Sequence, residues 1–152
     1  MKTMQKGFTL IELIVVIVIL GILAATALPR FINVATDARI AAMNGMAGGL
    51  RSAVALAQSR YVATGNPAAT TINMGLTGAV QAVDVAAGTG IPVATAAGIQ
   101  AAMQATDGFA LACTGVICTI TQTGGPVACA LTYTGATGVV NTAAVIAANC
   151  GG

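Results

Sequence analysis

Residues 8–28 read FTLIELIVVIVILGILAATAL, an apolar run of 21 residues that carries a single acid, Glu12. As a helix rising about 1.5 Å per residue it reaches about 31 Å, close to the hydrocarbon thickness of a bilayer. Lys2 and Lys6 precede the run. Positive charge on that side predicts a short leader left in the cytoplasm, with the rest of the chain facing outward.

Three kinds of segment share this pattern. One is a secretory signal cut at small residues, here Ala25-Thr26-Ala27. Another is a plain membrane anchor. The third is cut ahead of the apolar run, so that the run stays with the mature protein. Glu12 separates them. A carboxylate is costly in hydrocarbon, and neither a disposable signal nor a simple anchor gains from one. Its bland alternative is an edge residue reaching for the interface.

The neighbours of Glu12 carry a resemblance. Lys6-Gly7-Phe8-Thr9-Leu10-Ile11-Glu12-Leu13 resembles the processing motif of type IV prepilins, which the pseudopilins of type II secretion share. The resemblance is dense over residues 6–30 and weakens after Arg60. It implies that a membrane aspartyl prepilin peptidase cuts after Gly7. It further implies that the new N-terminus, Phe8, is N-methylated, and that Glu12 pairs with the N-terminal amine of a neighbouring subunit in a filament. Electrostatics agrees, because two charges that are each costly in an apolar core can satisfy one another, and a misregistered subunit leaves one unpaired.

Composition narrows the function. The chain is 57% apolar and only 7% charged, which excludes a disordered polyelectrolyte. All six basic residues lie at or before Arg60, and beyond it the only charges are Asp84 and Asp107. The C-terminal part therefore offers no basic patch for nucleic acid. With no histidine, the commonest general base and metal ligand is missing. No phosphate loop and no catalytic carboxylate pair is present. A structural protein, not an enzyme, is expected, with no cofactor and no metal.

Helical periodicity continues past the span. Ile40, Met43, Ala47, Leu50, Val54, Ala57 and Tyr61 alternate by three and four residues and form one apolar stripe. Asp37, Asn44, Arg51 and Gln58 repeat by sevens on another face. Packing of the stripe onto a sheet is expected over a coiled coil. Thr64-Gly65-Asn66-Pro67 supplies a stop, giving a mature helix over residues 8–63, about 84 Å long. Gly21 and Pro29 are weak points where it kinks or loosens, and the segment between them resembles the part of pilin helices that loses helical order in filaments. Gly45, Gly48 and Gly49 read as close-packing positions against the head. Arg39, Arg51 and Arg60 read as solvated or subunit-contact charges.

After Pro67, residues 70–106 resemble the irregular linker of pilins, with a short helix over residues 94–103. Residues 109–113, 116–122 and 127–133 read as strands joined by Gly-containing turns, and residues 138–147 supply a last strand or a short helix. The fold class is α+β: a long N-terminal helix, membrane-spanning in its apolar half, packed on a small antiparallel head. The expected divisions are a leader (1–7), a membrane or filament-core half-helix (8–28), an amphipathic half-helix (29–63) and a globular head (64–152).

Four cysteines allow three pairings, and without a Cys-x-x-Cys pair disulfides are the better reading than zinc. Cys129–Cys150, which closes a C-terminal loop, resembles the disulfide-bounded C-terminal region of pilins. Cys113–Cys118 is the companion pair, although a two-residue hairpin at Thr114-Gly115 would not set those cysteines opposite each other.

The expected function is a structural subunit, the major pilin of a type IV pilus, with a type II pseudopilin as the alternative. The resemblance implies a homo-oligomeric helical filament serving adhesion, twitching motility or DNA uptake. The implied partners are a prepilin peptidase, a platform protein, assembly ATPases and an outer-membrane channel. The precursor is placed in the inner membrane and the assembled subunit outside the cell, without direct nucleic-acid binding.

Overall fold

The computed structural model describes residues 7–75 and 81–151, and the side chains of residues 28–33 fall outside this description. One helix, α1 (Leu10–Thr64), dominates the molecule. Its 55 residues correspond to about 83 Å. It starts two residues later than the apolar pattern predicts because Thr9 is its N-cap, with extended backbone (φ −81°, ψ 152°). It stops at Gly65, whose positive φ of 64° forms a left-handed cap, and the Gly65 N–H donates to the Val62 carbonyl. Gly21 and Pro29 both fall inside its bounds, so neither ends the helix. The Pro29 side chain lies outside the described residues.

The two halves of α1 meet different surroundings. Within Leu10–Ala27, a stretch long and apolar enough to cross a membrane, nothing is buried by the rest of the chain. In the second half the predicted stripe faces the head. Met43, Ala47, Leu50, Val54, Ala57 and Tyr61 are buried, and Ile40 packs against them half-covered.

The head contains two antiparallel sheets. The smaller pairs β1 (Thr71–Asn73) with β2 (Ala82–Asp84) in the segment expected to be irregular. It is a sheet because Ile72 and Val83 stand opposite each other and bury against Tyr61 and Ala57, with Met74 and Val85 completing that core. The larger sheet runs in the order β3 (Phe109–Cys113), β4 (Ile117–Gln122), β5 (Ala130–Thr134), β6 (Val140–Asn141). Alternate residues Cys118, Ile120, Leu131 and Tyr133 point inward onto Met43, Leu50 and Val54 of the helix.

The short helix expected over residues 94–103 is present as one wide turn, Ala96–Gln100, in which the Ala101 N–H donates to the Ala96 carbonyl. Gly98 adopts φ −92° and ψ −106° within it, and a Cβ there would overlap the Val93 carbonyl oxygen. After β6 the chain makes one helical turn, α2 (Ala147–Cys150), so residues 138–147 contribute both a strand and the start of a helix.

Two readings of the helix surface need correction. Gly45 and Gly48 are exposed, and nothing lies within 4 Å of a Cβ placed on either. Gly49 meets only the tip of Met103, at 3.7 Å. Gly45 and Gly48 turn away from the head, whereas Gly49 lies at ordinary contact distance from it. Arg39 is not a free charge, since its Nη1 donates to the Cys150 carbonyl (3.1 Å), while Arg51 stays exposed and its Nη2 donates to the Val140 carbonyl (3.4 Å).

Candidate functional site

The N-terminus of α1 brings Gly7, Phe8, Thr9 and Glu12 together, while Lys6 lies outside the described residues. Gly7 and Phe8 precede the helix, and Phe8 is 90% exposed. A helix leaves its first four N–H groups without partners, and a reciprocal capping box answers two of them. The Glu12 N–H donates to Thr9 Oγ1 at 3.3 Å. In return Glu12 Oε2 accepts from the Thr9 N–H and the Thr9 hydroxyl, both at 2.8 Å. The carboxylate also sits in the first turn, where the helix dipole favours negative charge.

Phe8 and Glu12, four residues apart, line one shallow apolar groove with Ile11, Val15 and Val16. A carboxylate is thus fixed beside the exposed Gly7-Phe8 segment, at the start of the half of the helix that the rest of the chain leaves uncovered. Both Thr9 bonds go to Oε2, and among the described residues none goes to Oε1. The free oxygen can accept a further donor, and a charged ammonium group bonds a carboxylate more strongly than a neutral donor does.

Thr9 is the residue that reading the sequence for charge passes over. Thr9-Leu10-Ile11-Glu12 has the spacing of a capping box directly before an apolar run, and that spacing is the signal for it. Gly21 sits on the open face of α1, with nothing within 4 Å of a Cβ built on it.

The cysteines form the second constellation. Cys113 and Cys118 are bonded, and so are Cys129 and Cys150, which leaves no thiolate to ligate zinc. Cys113 stands directly opposite Cys118 in the β3–β4 register. The hairpin between them is longer than two residues. Thr114 bonds Ile117 through its N–H and its hydroxyl, and the Gly115 N–H is directed outward to the Ala94 carbonyl. Cys129–Cys150 ties the start of β5 to α2, next to the Arg39 contact.

A family described as the prokaryotic N-terminal methylation motif matches residues 2–28. The chain is 54% identical over 52 residues to the type IV narrow pilus major component PilA5 of Thermus thermophilus, covering 34% of this chain and 45% of that protein. It is 44% identical over 54 residues to the type IV major fimbrial protein FimA of Dichelobacter nodosus, covering 36% and 35%. It is 52% identical over 54 residues to the type IV major pilin protein PilE1 of Neisseria gonorrhoeae, covering 36% and 33%. In each case the matched stretch spans less than half of the relative's length. No solved structure matches the chain.

Proposed function

We propose, on the premise that the N-terminal third of this chain is that of a type IV pilin precursor, that the protein is processed between Gly7 and Phe8 and polymerised into a type IV pilus. Relatives named as major pilus or fimbrial components favour the major subunit. Residues 1–7 are the leader, 8–28 the membrane and later filament-core half of the helix, 29–63 its amphipathic half, and 64–152 the head.

The observation that carries this reading is an apolar helix with no cover of its own, bearing one acid at its first turn. Before assembly a bilayer covers Leu10–Ala27, and in a filament the same segments of other copies do so. Cleavage by a prepilin peptidase creates an amine on Phe8, which is then N-methylated. That ammonium approaches Glu12 of a neighbouring subunit, and the Thr9 bonds to Oε2 leave Oε1 to receive it. The head, with its charges sparse, forms the outer surface. The precursor resides in the inner membrane and the assembled subunit is extracellular. A platform protein, assembly ATPases and an outer-membrane channel are the machinery such export uses, and adhesion, twitching motility or DNA uptake are activities of the filament as a whole.

The test is the intact and N-terminal peptide mass of filaments sheared from cells. The expected species begins at N-methylated Phe8 and is lighter by the four hydrogens that two disulfides remove. A species beginning after Ala27, or protein confined to membranes with its leader intact, overturns the reading. Filaments of normal abundance built only from Glu12→Ala subunits would remove the Glu12–amine contact.

A further inference from the structure

We infer that Thr9 is a positioning residue for cleavage of the Gly7–Phe8 bond: its capping box with Glu12 ends the helix just after that bond and keeps the bond outside the helix. The inference rests on the processing proposed above. Hydrolysis adds one water. The bond from the Gly7 carbonyl carbon to the Phe8 nitrogen breaks, a carbon–oxygen bond to the water oxygen forms, and the Phe8 amine takes up a proton. Peptidases engage their substrates as added strands, through the main chain. A scissile peptide wound into a helix cannot offer its N–H and C=O in that way.

The geometry meets the requirement. Among the described residues the first backbone bond of α1 runs from Leu13 N–H to the Thr9 carbonyl, at 3.4 Å, so the ladder begins beyond Phe8. Thr9 has β-region dihedrals, and Phe8 is almost wholly exposed. The box satisfies the N–H groups of Thr9 and Glu12 at what would be the edge of a bilayer, where an unpartnered donor is costly. Without the Thr9 hydroxyl the Glu12 N–H loses its acceptor. The cheapest remedy for an apolar helix at that depth is another turn toward Lys6, which draws Gly7 and Phe8 into the ladder. Fraying inward instead would expose more donors to hydrocarbon.

The experiment compares full-length wild type, Thr9→Val and Thr9→Ser in membranes containing a prepilin peptidase. It records the rate of release of residues 1–7 and hydrogen exchange at the Phe8 amide before cleavage. Valine keeps the shape and removes the hydroxyl, whereas serine keeps the cap. Loss of a cap is expected to slow Thr9→Val about fivefold and to protect the Phe8 amide, with Thr9→Ser restoring both. Thr9→Val cleaved at the wild-type rate, or Thr9→Ser as slow as Thr9→Val, overturns the inference and leaves the processing intact. Wild type left uncut at Gly7–Phe8 overturns the processing itself and this inference with it.

Discussion

Arg39 Nη1 lies 3.1 Å from the carbonyl oxygen of Cys150, so the long helix grips the last helical turn at the residue that also anchors its disulfide. A guanidinium suits this place because the C-terminal carbonyls of α2 carry the negative end of the peptide dipoles. Arg51 repeats the arrangement at Val140. Helix and head are thus joined by directional bonds at two levels as well as by the apolar stripe.

Replacing Arg39 with Ala is expected to cost about 1.5–3 kcal/mol, the range for hydrogen bonds to charged groups. Urea unfolding of the full chain in detergent, followed by loss of the β-sheet signal, measures it. A midpoint unchanged from wild type would mean that the contact contributes nothing.

The two disulfides are expected to differ in worth. Cys113–Cys118 closes a separation of 5 residues in a hairpin whose register is already set, whereas Cys129–Cys150 closes 21. On loop-closure entropy the second contributes about 1 kcal/mol more than the first. Paired Cys→Ala substitutions, each made at both cysteines of one bond, should show this order in urea. The reverse order would tell against the entropic account.

Tyr133 is fully buried and its hydroxyl donates to the Pro92 carbonyl, fastening the linker to β5. Burial pushes its phenol up from the ordinary value. The folded form therefore keeps a proton that the unfolded chain gives up at about pH 10, so this contribution to stability is full below that pH and is lost as alkalinity rises. Tyr133→Phe should lose about 1–3 kcal/mol at neutral pH, because the Pro92 carbonyl is left unpaired. Its stability should also fall less steeply above about pH 10, as a pH series of denaturant midpoints would record.

Glycines on opposite sides of the fold should respond in opposite directions. Gly98→Ala is expected to disrupt the turn under the small sheet, since the new methyl meets the Val93 carbonyl backbone. Gly45→Ala and Gly48→Ala meet nothing, and each should stabilise the isolated subunit by about 1 kcal/mol through helix propensity. Thermal unfolding of the three variants decides both claims.

These positions also mark what the sequence could and could not reveal. The stripe from Ile40 to Tyr61 was readable because burial follows the helical period without a break. Phe109–Cys113 and the two strands after it are readable because Gly-containing turns bound each short run. β1 and β2 escaped because three residues are too few for a period, and only the pairing of Ile72 with Val83 gives them a sheet. Gly45 and Gly48 face away from the head with no sign of it in the sequence, because a glycine contributes nothing to the apolar pattern. The Cys113–Cys118 bond depended on a turn whose outward Gly115 bond to Ala94 joins residues far apart in sequence. At the N-terminus the charge of Glu12 is plain in the sequence, and its local bond to Thr9 is marked only by the three-residue spacing of a capping box.

The Cys129–Cys150 bond has a mechanical consequence. Residues 130–149, which hold β5, β6 and the start of α2, lie inside a covalent ring. Tension applied between α1 and the chain end passes from Cys129 to Cys150 through the sulfur bridge and bypasses that ring. A pull strong enough to peel hydrogen bonds elsewhere would leave the length of chain stored in the ring unspent until the bridge itself is reduced.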